Sequence, residues 1–363
     1  MEAEPAYKRR GESVMSRKIM KGILSIAVFG ALTAVLLAGS ARAREITDMA
    51  GRKVSIPDTI RKVYAPSPYG SYALYSIDSS LVSGLIFPIK EEDKNYVSRS
   101  LRDLPVIGSL FGQGQTANIE VLLKARPDLI VMWSAQKSAM DAKTEETLKK
   151  LNVPYVYAVA ESLYDYPEVY RFLGNVLNRG EKADKLAAYC QKTLADAKAT
   201  VDRIPMAKRP TVYYAEGVDG LSTECNDSIH VELLRMAGDT NVHRCHTSCH
   251  MGMEKVSLEQ VMLYNPDVIV AQEKTFFDKV LKDPRWQSIK AVQEKRVCLI
   301  PRTPYNWFDR PPSFMRILGL KWLVSCLYPT EQKGDMVKEA KEFYRLFLGV
   351  DLSNEEMKNV MHR

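Results

Sequence analysis

Residues 118–131 read NIEVLLKARPDLIV, and residues 257–270, 139 positions later, read SLEQVMLYNPDVIV. In each copy a polar residue precedes an apolar residue and a glutamate, Glu120 or Glu259. A short helical pattern follows, then Pro-Asp, then an apolar, β-branched run that reads as a strand. Pro-Asp before a strand is common by itself. The matching glutamate and the length of the match carry more weight. Recurrence at one large offset predicts two lobes of like construction, not one continuous core. Proteins built of two similar lobes often hold a ligand between them.

The chain around the repeat alternates strands with helices. Ile46–Ile56 reads as a hairpin turning at Gly51, and Arg61–Ala65 and Val153–Val159 read as strands. Thr211–Tyr214 and Arg296–Ile300 supply strands to the second half, and Pro312–Leu327 a long apolar helix. This pattern predicts an α/β fold: two similar α/β lobes with mostly parallel central sheets. From Pro167 to Ile204 apolar residues recur at helical spacing, with a break at Gly180. That stretch predicts a stiff helical spine joining the lobes. The expected divisions are a signal peptide at 1–43, an N-terminal lobe at 44–160, the spine at 161–207 and a C-terminal lobe with a helical tail at 208–363.

The first 43 residues have the three parts of a secretory signal: a basic leader, an apolar run from Ile23 to Leu37, and the small-residue site Ser40-Ala41-Arg42-Ala43. Cleavage after Ala43 would place the protein in the periplasm. An uncleaved anchor is the rival reading, but the apolar run is short for a membrane span. The leader carries seven basic and three acidic residues, which leaves +3 of the formal +7 for the rest. No dense Lys/Arg block with interleaved aromatics occurs, so a nucleic-acid partner is not expected. All six cysteines lie in the second half. Export permits disulfides, and Cys225 with Cys245 or Cys249 is the expected pair. Cys190, on an amphipathic helix, and Cys298, inside a strand, read as buried thiols.

The combination of Asn118-Ile119-Glu120 with Arg126-Pro127-Asp128, Ser257-Leu258-Glu259 with Asn265-Pro266-Asp267, Asp283-Pro284-Arg285-Trp286 and Lys295-Arg296-Val297 resembles the solute-binding proteins of ABC importers for iron-siderophores, haem and cobalamin. The resemblance runs from about Ile46 to Phe347. It implies two lobes bridged by one long helix, modest closure on a ligand, and docking of one glutamate per lobe onto an ABC permease with its ATPase. Those glutamates fall on Glu120 and Glu259. The expected function is capture of a metal chelate, a ferric siderophore in the first instance. Haem, cobalamin or a nickel or cobalt chelate are the alternatives. A periplasmic haem or metal carrier and a metal-dependent enzyme are rivals. The chain lacks a His-Glu-x-x-His helix, a Gly-x-Ser-x-Gly elbow and a P-loop, so no enzyme is expected. No intrinsic cofactor is expected, though the ligand would carry iron or another transition metal. A monomer is expected.

Ligand residues should follow the carboxyl ends of strands. In the first lobe these are Tyr69, Trp133 and Gln136, and in the second Glu216 with Trp307, Phe308 and Arg310. The stretch PYNWFDRPP at 304–312 offers two aromatics to cover a bulky ligand and a guanidinium fork for an anionic group. The rival is a structural loop, with Trp307 and Phe308 in the core and Arg310 paired to an acid. The segment HRCHTSCH at 243–250 supplies His243, His246 and His250 as candidate metal ligands. On a helix the three would share a face; as a polar loop they would be exposed. The spacing of Cys245, Cys249 and His250 is one residue too wide for covalent haem attachment.

Overall fold

The structure is a computed structural model that describes residues 43–110, 115–134, 146–238, 240–246, 252–331 and 334–362. The expected leader lies outside the described residues except for Ala43. In the first half the principal elements are β1 (Ala43–Thr47), β2 (Lys53–Pro57), β3 (Val63–Tyr64), α1 (Pro68–Asp78), α2 (Ile119–Ala125), β4 (Leu129–Ser134) and β5 (Tyr155–Val159). Two helices follow, α3 (Tyr166–Val176) and α4 (Gly180–Asp202). The second half contains β6 (Val212–Ala215), β7 (Ser222–Thr223), α5 (Glu232–Met236), β8 (Glu254–Lys255), α6 (Leu258–Tyr264), β9 (Val268–Ala271) and β10 (Val297–Leu299). It closes with α7 (Met315–Leu327), α8 (Met336–Phe343) and α9 (Asn354–Val360).

The two copies of the repeated segment fold by the same local chemistry. Asn118 and Ser257 are helix N-caps, accepting from the amides of Val121 and Gln260. Both helices then end in the left-handed region, at Arg126 (φ 50°) and Asn265 (φ 41°), whose amides close onto Leu122 and Val261. Proline next prevents continuation. The aspartate after it has a long-range task. Asp128 Oδ2 accepts from the amides of Arg61 and Lys62, at 2.7 and 2.9 Å, just before β3. Asp267 Oδ2 accepts from the amide and hydroxyl of Thr211, at 2.8 and 2.9 Å, just before β6. Each Pro-Asp therefore fixes where the neighbouring strand begins.

The sheets are equivalent. In the first, β4 lies parallel between β3 and β5; in the second, β9 lies parallel between β6 and β10. Bridges from Val63 to Val82 and from Val212 to Asn241 extend both on the same side. Side chains alternate between faces along each strand. Leu129 and Val131 of the first sheet, with Val268 and Val270 of the second, enter one apolar cluster that also contains α1, α3, α4 and the C-terminal helices. The opposite faces have separate clusters, one around Ile130, Met132 and Tyr157, the other around Ile269, Phe276 and Trp286. The expectation of lobes without a continuous core is thus corrected. Residues 45–56 and 60–363 form one compact unit, because both sheets turn one face toward the same helices.

The spine differs from a single rod. Residues 177–179 reverse the chain, with Asn178 at φ 54°, and α3 packs back along α4. Contact is close at Gly174, where an added Cβ would lie 2.3 Å from that of Ala183. The 23 residues of α4 span about 34 Å. Cys225 and Cys245 form the expected disulfide. Cys298 is not a free thiol: it is bonded to Cys326 at the end of α7, with a Cα–Cα distance of 6.6 Å that suits a bridge. Cys190 is free and buried.

Helix α7 lies directly against the loop at 301–312. A Cβ at Gly319 would stand 1.7 Å from the carbonyl oxygen of Trp307. Gly319→Ala must therefore push helix and loop apart. The expected loss of stability is about 1–3 kcal/mol, measured by urea unfolding, and an unchanged midpoint would contradict the contact.

Candidate functional site

Side chains at the carboxyl ends of the two sheets, aromatic ones from the first half and charged ones from the second, lie within electrostatic reach of one another, and the space they border is the candidate crevice. In the first sheet β4 ends at Trp133 and Ser134, and the chain after β3 enters α1 at Tyr69. Ser67 caps that helix and Pro68 occupies its first turn, so Tyr69 is held on a rigid start. Tyr69 stacks on Trp133 with ring centroids 5.7 Å apart, and Tyr166 meets Trp133 edge-on at 5.4 Å. Burial pushes the Tyr69 hydroxyl up to about 12, Arg316 pulls it down, and Asp309 and Glu232 add to the rise. The first sheet's aromatics thus lie within the electrostatic reach of residues from the second half.

On the charged side β6 delivers Glu216. Its backbone pairs with Ser222 around a tight turn through Gly217 and Gly220, both at positive φ. That turn returns the chain as β7, which ends beside Glu224. Arg310 joins the two acids. Its Nε donates to Glu216 Oε1 at 2.7 Å and its Nη2 donates to Glu224 Oε1. Both glutamates are 0% exposed, while the Arg310 side chain is 20% exposed. Glu224 also accepts from the Ser228 hydroxyl at 2.8 Å and the Met253 amide at 2.9 Å. Gly252 makes room for this carboxylate: its φ is +60°, and a Cβ there would lie 2.1 Å from Glu224 Oε1. Beside them, His230 Nδ1 bonds Asp309 Oδ2.

A second ion pair acts electrostatically on Tyr69 and Tyr166. Arg316 Nη2 donates to Glu232 Oε2 at 2.6 Å, and Glu232 Oε1 accepts from the Leu163 amide at 2.9 Å. Among the described residues, four carboxylates therefore share the crevice with two guanidinium groups and His230. Burial raises Glu216 to about 7 against the pull of Arg310, and the charge of Glu224 adds to the rise. Burial also works against ionised Glu224, but its hydrogen bonds from Ser228 and Met253 hold it below the ordinary range. Burial disfavours charged His230, yet the bond to Asp309 outweighs it and raises the pKa.

Several expected residues lie elsewhere. Trp307 and Phe308 are 0% exposed and belong to the core, not to the crevice. Phe308 packs on Tyr214 at 4.8 Å and Trp307 on Tyr344 at 6.3 Å. The Asn306 side chain accepts from the amides of Phe308 and Asp309. That turn sends the two large rings inward, where burial is more favourable than exposure, and leaves Asp309 and Arg310 at the crevice. The Arg310 fork is occupied by the protein's own carboxylates, so it is not an open cradle for an anion. Gln136 lies outside the described residues.

Of the histidine candidates, His243 and His246 lie among the described residues. Residues 241–246 are not helical, so His243 and His246 share no helix face, and His250 lies outside the described residues. His243 is half-buried, and its Nδ1 lies 2.8 Å from the Tyr264 hydroxyl. Candidate ligand atoms of Cys225, His243 and Cys245 lie within 4.8 Å of one another. The two sulfurs are bonded to each other, however, and offer no thiolate. His246 is fully exposed, with its Nδ1 3.2 Å from Asp227.

Glu224, His230, Tyr166 and Arg316 are crevice residues that spacing did not single out. Arg316 alone left a signal: it is the one charge in the apolar run FMRILGL at 314–320, and a buried charge demands a partner. Glu120 and Glu259 are exposed in the first turns of α2 and α6, with exposed Leu123 and Leu263 near them.

Glu216 gives the protein a pH signature. Its folded pKa, about 7, exceeds the ordinary 4.5, so the folded form binds the proton more tightly. The group's contribution is greatest at low pH and is lost as pH rises from about 4.5 toward 7. In Glu216→Gln, that fall in unfolding free energy should flatten across the same window. An unchanged slope in denaturant titrations would refute the assignment.

Comparison with known proteins identifies the family. Residues 95–304 match the family described as periplasmic binding protein. The chain is 27% identical over 334 residues to the molybdate-binding protein MolA of Haemophilus influenzae, spanning 84% of this chain and 90% of that protein. It is 25% identical over 158 residues to the vitamin B12-binding protein of Pectobacterium atrosepticum, spanning 43% of this chain and 54% of that protein. An ABC transporter solute-binding protein from Sulfurospirillum deleyianum superposes with a TM-score of 0.81 at 38% identity, over 88% of this chain and 99% of that one. Molybdate-bound MolA shares the fold, with a TM-score of 0.66 at 23% identity over 85% and 99% of the two chains. With a matched stretch covering more than half its length, and with two equivalent parallel sheets, this chain belongs to the periplasmic binding protein family and is a periplasmic solute-binding component of an ABC transporter, not an enzyme.

Proposed function

We propose that the solute is a metal chelate of neutral or positive net charge, most simply a ferric siderophore of that type. The observation that supports this is the crevice's charge. Arg310 already serves two buried glutamates and Arg316 a third, so both guanidinium charges are already matched by the protein's own carboxylates. A dianion such as the molybdate named for MolA would have to displace those glutamates or sit beside them. Either course leaves buried negative charge without compensation, which costs several kcal/mol. A chelate with a hydrophobic edge instead suits the wall of Tyr69, Trp133 and Tyr166. Cobalamin, named for another relative, has the same large, low-charge character and is the second reading. Haem and nickel or cobalt chelates are further members of the set.

Delivery would run through an ABC permease and its ATPase, with Glu120 and Glu259 as the paired contacts. Their placement at the same turn of duplicated helices supports that role. A leader cleaved after Ala43 would account for export.

Isothermal titration with a charge-sorted panel tests the solute class. The panel is cationic ferrioxamine, neutral ferrichrome, cyanocobalamin, haemin, a ferric tris-catecholate and molybdate. A neutral or cationic chelate should bind with a Kd of about 1 μM or below. Tight molybdate or tris-catecholate binding, with the neutral and cationic chelates inert, would overturn the reading.

The docking pair has its own test. The double variant Glu120→Lys, Glu259→Lys should lose stimulation of the reconstituted transporter's ATPase while keeping solute affinity within about twofold. An equal loss of solute affinity would place the glutamates in the binding site or the core.

A further inference from the structure

We infer that Arg316 and Tyr166 form a two-donor subsite for one acceptor oxygen at the solute's edge, either a carboxylate or a neutral carbonyl. The inference rests on the reading that the crevice holds the solute. Both side chains are 3% exposed. The Arg316 Nε–H and the Tyr166 hydroxyl are sealed from solvent and meet no hydrogen-bond acceptor among the described residues. An unmatched buried donor costs free energy, and two such donors lie within electrostatic reach of one another. The Glu232 carboxylate joins them, binding Arg316 Nη2 on one side and the Leu163 amide on the other. Leu163 lies three residues before Tyr166, in the turn that leads into α3. The positive charge of Arg316 is felt at both Tyr166 and Tyr69. Tyr166 also closes the aromatic wall through Trp133.

The division of labour between the two arginines follows. Both donor arms of Arg310 described above end on carboxylates, and Glu224 is further held by Ser228 and Met253. Arg316 is held by one carboxylate through one terminal nitrogen, with its inner N–H left over. An incoming oxygen would meet Nε–H and the phenol at once. It would satisfy both donors without breaking the bond to Glu232. A carboxylate and a neutral carbonyl present the same acceptor, so the subsite sets where the solute's edge lies while the Arg310 side sets its charge.

Acetate and acetamide are the probes, with chloride at matched ionic strength as the reference. In the wild-type protein, acetate, acetamide or both should raise the melting temperature saturably over chloride. Tyr166→Phe deletes a hydroxyl that has no partner, so the variant should melt no lower than the wild type, and its probe response should weaken about tenfold. Arg316→Lys keeps a charge for Glu232 but removes Nε–H, and should weaken the response likewise. The inference is overturned if neither probe differs from chloride in the wild type. It is equally overturned if Tyr166→Phe keeps the full response, or if that variant melts well below the wild type. Failure of the chelate panel with the probe response intact would remove the chelate reading and leave the subsite. Chelate binding unaffected by Tyr166→Phe would do the reverse.

Discussion

Arg310 stands where two carboxylates, Glu216 and Glu224, have been taken out of water. Neither acid could remain charged there alone, and a lone guanidinium in that place would equally demand a counter-ion. The three groups are therefore one unit, and the nearby backbone is arranged to hold it. The turn from Glu216 to Ser222 places the first acid. Gly252 clears space for the second. The Asn306 turn brings Asp309 and Arg310 around from the core. The crevice has its charge because these three local features bring Glu216, Glu224 and Asp309 around Arg310, and that charge limits which solutes can enter.

The same logic separates what could be read from the sequence from what could not. The repeat was legible because its parts act locally: a cap, a left-handed end, a proline and an aspartate that clamps the next strand. The parallel α/β sheets followed from that periodicity. Arg310 was visible as a reactive-looking residue, but its partners lie 94 and 86 positions away, and spacing carries no trace of such a pairing. Trp307 and Phe308 show the same limit. An aromatic pair in a proline-rich loop suits either a ligand or a core, and only the Asn306 turn and the contact with Gly319 decide between them. Cys298 looked like an ordinary strand residue because its partner, Cys326, belongs to a helix 28 residues further on.

The lobes are alike in construction but are not independent. Alternate side chains of β4 and β9 enter the same apolar cluster, beneath the helix pair α3 and α4. Large separation of the sheets would uncover that cluster, at about 25 cal/mol for each Å² of apolar surface exposed. Motions that admit a solute are therefore restricted to small adjustments over the shared helices. The crevice sits above this common floor, so its aromatic and charged sides keep their spacing.

The two aspartate clamps bear on how the chain acquires its shape. Asp128 ties β4 to the start of β3 across 67 residues, and Asp267 ties β9 to the start of β6 across 56. A one-residue slip in either sheet would break the clamp and would also exchange inward for outward side chains along the strand. Each sheet therefore carries its own check on alignment, at its polar margin and within its own half of the chain. As a nascent chain emerges from its N-terminus, the first sheet has all the partners for this check by Val159. Only the common apolar floor must wait for the last helices. Alignment and consolidation are thus separate events, and a chain interrupted midway would hold a correctly paired first sheet over an uncovered face.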